Sequence, residues 1–89
     1  MDLTDEGHRL LEACKQHILG AMRTLPDCQP GGRGAGSYEI ERAAGFELEL
    51  QRQDNWFTWS LLQRMGRDDV IDIVRAGRAR YRLPSPERP

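Results

Sequence analysis

Three arginines stand at alternate positions near the end of the chain, Arg78, Arg80 and Arg82, with Arg75 just ahead of them. A guanidinium is planar and permanently charged, and its fork of N–H donors matches phosphate oxygens and the paired acceptors of guanine. Like charges along one strand face repel each other, so such a row calls for an anion. Upstream, Ser60, Gln63, Arg64 and Arg67 recur at three- and four-residue steps, which places them on one side of a helix. Glutamine can pair with adenine as arginine pairs with guanine. These eight side chains have the chemistry of a surface that holds a phosphate backbone and reads base edges.

Other residue types with chemistry to offer do not assemble into a pattern. Cys14 and His17 have i, i+3 spacing, but no second chelating pair follows at a recognised zinc spacing, and Cys14 reads better as a small buried hydrophobe. Two cysteines, Cys14 and Cys28, make no disulfide framework. His8 and His17 have no nucleophile arranged near them, and the acids are scattered, so no general acid–base pair is selected. The expectation is a protein that is not an enzyme and needs no metal or cofactor. The segment PDCQPGGRGAGS, residues 26–37, has the glycines of a phosphate cradle but neither a preceding strand nor a GK[ST] ending. It reads as a flexible loop between two helices, with Arg33 in reach of a backbone phosphate.

The elements that must carry the eight residues follow from periodicity. Leu3, Leu10, Leu11, Cys14, Ile18, Met22 and Leu25 form one apolar stripe of a long helix, opened by Asp2 or Thr4 and closed at Pro26. A helix of about twenty residues exceeds what so small a core needs, so part of it is expected to pack on a second copy. Ser37 is expected to cap a short helix, Tyr38 to Ala44, with Gly45 as its stop and Ile40 facing inward. Residues 46–51 alternate apolar with polar and suggest a short extended piece. Trp56 and Phe57 are expected to return to the core, and Trp59 to be core or a semi-exposed packing residue, where an exposed Trp59 would instead mark a partner surface. A third helix starts between Asp54 and Thr58, both competent caps, turns Leu61, Leu62 and Met65 inward, and ends at Asp68 and Asp69. Val70 to Val74 reads as a strand, Ala76-Gly77 as a two-residue turn, and Arg78 to Leu83 as a second strand. Ala79, Tyr81 and Leu83 then face the core and the three arginines face solvent.

With 89 residues the chain is one domain, expected over 1–83, with 84–89 as a disordered tail. A chain of this size buries roughly 60–65% of its unfolded surface, so the core is small. Its 38% hydrophobic and 30% charged residues are those of an ordinary globular protein. No apolar run nears the roughly 20 residues of a membrane span. The opening MDLTDEGHR lacks the features of a signal peptide, so the expected compartment is the cytoplasm and no membrane partner is expected. The net charge of −1 argues against a generic polyanion binder. The distribution is asymmetric, however. Residues 51–89 hold eight arginines against five acids, or +3, and residues 1–50 hold five basic groups against nine acids, or −4.

The order long helix, short helix, turn, helix, β-hairpin resembles the winged helix-turn-helix family of DNA-binding domains. The residues that carry the resemblance are SYEIERAAGF (Ile40 with Ala44-Gly45-Phe46), TWSLLQRM (Leu62 with Met65) and VIDIVRAGRARYRL (Arg80-Tyr81-Arg82-Leu83). About half the chain is covered. Two features depart from the family pattern: about a dozen residues separate Gly45 from Thr58 where three to five are usual, and the hairpin tip is short. The resemblance implies an α+β fold, a winged helix-turn-helix with three helices and a C-terminal β-hairpin wing. It implies that the helix over 58–67 enters a major groove of double-stranded DNA with Ser60, Gln63, Arg64 and Arg67. Arg75, Arg78, Arg80 and Arg82, on a wing over 70–83, would then contact phosphates or the minor groove. The expected role is a transcriptional regulator, dimeric through the first helix. The alternatives are a winged-helix module that binds a protein partner without touching DNA, or an accessory subunit of a larger DNA-processing system.

Overall fold

The structure, a computed structural model, describes residues 3–46, 55–75 and 77–85. Helix α1 spans Leu3–Arg23, α2 spans Ser37–Ala44 and α3 spans Trp56–Arg67, followed by strands β1, Asp72–Arg75, and β2, Ala79–Arg82. Three helices followed by a two-stranded antiparallel sheet make an α+β fold with the layout of a winged helix. The expected extended piece over 46–51 and the Asp54 cap lie largely outside the described residues.

Helices α2 and α3 end alike. Gly45 adopts φ 72°, and the amides of Gly45 and Phe46 donate to the carbonyls of Arg42 and Glu41. Asp69 adopts φ 60°, and the amides of Asp69 and Val70 donate to Gly66 and Met65. Both are Schellman closures, the second with aspartate where glycine is usual. The closure at Val70 delays the strand, so β1 begins at Asp72 and not at Val70. Helix α3 starts between positions 54 and 58, as expected, but the caps of α2 and α3 differ from expectation. Gly36 is the N-cap of α2, and Ser37 is its first residue, its hydroxyl turned to Asn55. Asn55, at φ 70°, is the N-cap of α3, and Thr58 is fully buried within the helix.

The core joins Ile18 and Met22 of α1, Ile40 of α2, Leu62 and Met65 of α3, and Ile71 and Tyr81 from the hairpin, all essentially buried. Only the C-terminal half of α1 takes part. Leu3 is 87% exposed and Leu10 60%, so the apolar stripe continues past the core into solvent. At the inner end the Nε2–H of His17 donates to the carbonyl of Ala44 at 2.7 Å and the ring lies 5.0 Å from that of Phe46. This contact fastens α1 to the end of α2.

In the hairpin Asp72 faces Arg82, Ile73 faces Tyr81, Val74 faces Arg80 and Arg75 faces Ala79. The connection is therefore three residues, 76–78, rather than two, with Gly77 supplying φ 83°. β2 is not a free edge. Ala35 and Tyr81 exchange both backbone hydrogen bonds at 2.9 and 2.8 Å, and the amide of Leu83 donates to Cys28. The glycine-rich segment thus lies along β2 like a third strand. Gly34, at φ 85°, lets it approach: a Cβ there would lie 2.9 Å from Arg80 Cβ and 3.1 Å from Tyr81 N.

Candidate nucleic-acid interface

The hairpin divides six of the eight sequence-selected residues between two concave faces. On one side a groove of about 480 Å³ runs between α3 and β1, lined by Gln63, Arg67, Arg75 and Arg82 together with Asp69 and Asp72. On the other a cleft of about 540 Å³ opens between α2, the first turn of α3 and β2, and Arg78 and Arg80 line it. Arg64 sits on the exposed side of α3, and Ser60 is half-buried on the same helix.

Three of the eight side chains hold the fold together. Gln63 Nε2 donates to the hydroxyl of Tyr81 at 2.7 Å, which ties α3 to the hairpin. Arg80 Nε donates to the carbonyl of Gly34 at 2.7 Å, and Arg82 Nη1 to that of Gly32 at 2.8 Å. Arg82 Nε also stands 3.6 Å from Asp72 Oδ2, an ion pair too long for a hydrogen bond. The expected solvated row of wing arginines is therefore not one row. Arg78 is exposed, whereas Arg80 and Arg82 are half-buried. The physical reason is the glycine segment: laid along β2, it presents carbonyls that need donors, and the two guanidinium groups supply them. Arg33, too, is engaged, its Nε 3.1 Å from Asp27 Oδ2.

Arg67, Arg75 and Arg78 are exposed and form no ion pair among the described residues. Arg64 pairs with Asp68 at 3.1 Å one turn along α3, with both groups largely in water. Such a pair contributes roughly 0.3–0.5 kcal/mol and yields readily to a phosphate. Of the six sequence-selected arginines, Arg64, Arg67, Arg75 and Arg78 are thus the ones the fold leaves open to a ligand.

The cleft holds what the sequence did not show. Trp59 is 50% exposed and Tyr38 57%, and both line it with Arg42 and Glu39. Trp56 is 46% exposed, and Phe57 alone of the expected aromatics packs on the core, edge-on to Phe46 at 5.8 Å. Trp56 misses the core expected for it, and Trp59 takes the semi-exposed rather than the core position, because Thr58, Leu61, Leu62 and Met65 already fill the inner face of α3. At the cleft, Asn55 receives a hydrogen bond from the Ser37 hydroxyl at 2.6 Å. It donates to the Ser37 carbonyl at 3.2 Å and to Glu41 Oε2 at 3.0 Å. These partners are 14 and 18 residues away in the chain, and no local pattern announces them.

Beneath β2 the thiol of Cys28 is buried and lies 3.4 Å from the carbonyl of Tyr81. Burial pushes the thiol up from 9.0 to about 11, against a smaller opposing effect of its hydrogen bond with Ala35. Burial likewise raises the Tyr81 phenol, partly opposed by Gln63. Both groups are neutral structural residues near neutral pH. No three or more His, Cys, Asp or Glu side chains gather as metal ligands among the described residues. No helix among them is long and apolar enough to cross a membrane. Compared with family models, with curated proteins and with solved structures, the chain finds no match in any of the three.

Proposed function

We propose that this chain is a small DNA-binding protein, a transcriptional regulator in the manner of winged-helix domains, that holds a duplex through α3 and the hairpin. The carrying observation is that Arg67 of α3 and Arg75 of β1 line one groove, both exposed, with Arg64 and Arg78 exposed beyond it. Arginines from a helix and from the adjacent hairpin can meet phosphates on both sides of a groove, while Ser60 faces the bases. Gln63, Arg80 and Arg82 support the interface without forming it. The acids Asp69 and Asp72 in the same groove weaken the local field, which favours a few directed contacts over a broad electrostatic one.

The exposed N-terminal half of α1 supports dimerisation through that helix, which would double a small footprint. The same bare face, with the net charge of −1, supports a second reading: a module that takes a protein partner there and never touches DNA. Titration with random duplex DNA by fluorescence anisotropy, between about 50 and 200 mM salt, separates the two. Four phosphate contacts per protomer give a log–log salt slope of about −3.6. Absence of binding at the lowest salt would leave only the second reading.

A further inference from the structure

We propose that the cleft between α2, the start of α3 and β2 holds an unpaired nucleotide of single-stranded nucleic acid. The base lies on Trp59 and Tyr38, and the phosphates sit on Arg42 and Arg78. This does not rest on duplex binding: Arg78 alone is shared with that reading, and Arg67 and Arg75 lie in the other groove.

Three observations converge on that occupant. The first is aromatic exposure in one place. Trp59 and Tyr38 come from different helices, each keeps about half its surface in water, and both line the same cleft. Exposed rings that share a concave surface offer a planar ligand a stacking platform, which scattered surface aromatics do not. The second is charge. Arg42, Arg78 and Arg80 line the cleft against Glu39, a local +2 in a chain whose net charge is −1. The occupant is therefore anionic as well as planar. The volume of about 540 Å³ falls in the range of roughly 300–1,000 Å³ for small-ligand sites and suits one nucleotide, not a helix.

The third observation concerns what the cleft cannot do. Its polar floor has satisfied itself: Asn55 is held by Ser37 and Glu41, and Arg80 Nε by Gly34. Little is left to read a base edge, so recognition is by stacking and charge and tolerates any base. A paired base has both faces covered by its neighbours and cannot enter. The expected ligand is a single strand, or the unpaired end of a duplex.

The test uses the full chain and a fluorescent ten-residue oligothymidylate at about 50 mM salt, with circular dichroism confirming that each variant is folded. Binding is expected, with quenching of tryptophan fluorescence. Trp59→Ala should weaken it about 5- to 150-fold, the range for loss of one base–aromatic stack, and abolish most of the quenching. Arg42→Gln should weaken it and flatten its salt dependence. Arg67→Ala and Arg75→Ala should leave it within about twofold. No binding of the oligomer, or binding indifferent to both Trp59→Ala and Arg42→Gln, overturns the proposal. So does capture of an acidic, tyrosine-containing peptide in place of the oligomer. Duplex binding with no oligomer binding removes the cleft assignment alone; oligomer binding with no duplex binding removes the duplex reading alone.

Discussion

Arg82 and Arg78 lie on the same short hairpin and have the same chemistry, yet the structure assigns them opposite consequences when removed. Arg82→Ala deletes a charged donor bonded to the Gly32 carbonyl at 2.8 Å and the partner of Asp72 at 3.6 Å, on a side chain that is about two-thirds buried. A hydrogen bond from a charged group contributes roughly 1.5–3 kcal/mol. Taking the middle of that range, with a little more for the shielded ion pair, gives a loss of about 2–3 kcal/mol. For a domain of this size that lowers the melting temperature by roughly 10–20 °C, since 1 kcal/mol corresponds to about 4–8 °C. Arg78 is exposed, with no ion pair among the described residues, and Arg78→Ala should stay within about 0.5 kcal/mol of the parent. Duplex affinity should show the reverse order. Arg78→Ala should reduce the magnitude of the salt slope by about 0.9, and Arg82→Ala, measured well below its melting temperature, should leave the slope alone. Calorimetry and anisotropy on the two variants suffice. Equal melting temperatures, or a slope change on removing Arg82 as large as that for Arg78, would refute the division of the arginines into clamp and contact.

The glycine segment provides a second comparison. Gly34→Ala meets both a positive φ and the backbone of β2, whereas Gly31→Ala meets a positive φ and open space. The first should cost about 2–4 kcal/mol and the second about 1 kcal/mol by denaturant unfolding, and equal losses would sink the close-approach argument. Stability should also fall in alkali. The unfolded thiol of Cys28 ionises near 9.0 and the folded one near 11, so its contribution is whole below pH 9 and disappears as pH rises towards 11. The slope is at most about 1.4 kcal/mol per pH unit, and the raised Tyr81 acts in the same direction above pH 10. Denaturation midpoints at pH 8 and pH 10.5 measure the fall, and Cys28→Ala should flatten it; an unchanged midpoint in the parent chain would contradict the burial argument. Finally, Leu10→Glu on the bare half of α1 should leave the melting temperature nearly unchanged and convert a dimer to a monomer by light scattering. A parent chain that is monomeric at high concentration would remove that role for the helix.

The fold was legible wherever a local rule governs. The stripe of α1, the stop at Gly45, the inward Leu61, Leu62 and Met65, and the alternation of Tyr81 with its neighbours are all set by residues within one turn or one strand pair. Boundaries failed where a distant partner won. Ser37 has the chemistry of a cap, but the helix begins one residue earlier, with Gly36 at the N-cap, and the Ser37 hydroxyl donates instead to Asn55 Oδ1 at 2.6 Å. Trp56 looks like a core residue by composition, and Trp59 like a core or semi-exposed one. They are displaced because a twelve-residue helix beside so small a core has room for only one inward stripe.

The site follows the same logic, with a sharper consequence. Alternation alone assigns Arg78, Arg80 and Arg82 to one solvated face, since the side-chain period of a strand is two. It says nothing of what lies along the strand's edge. That neighbour is a segment read from its glycines as a connecting loop, and glycine is the residue type that allows a backbone to approach closely enough to pair. Once Ala35 bonds Tyr81 in both directions, the carbonyls of Gly32 and Gly34 fall within reach of the two arginines that flank it. The basic row and the glycine run are therefore two halves of one structural device, and only Arg78 of the row remains to meet a ligand. The same contact borders the cleft. Arg80, held against the glycine segment, lines that cleft together with Trp59 of α3 and with Tyr38 and Arg42 of α2. Oligonucleotide binding there would mean that the chain distinguishes paired from unpaired strands with the two sides of one hairpin.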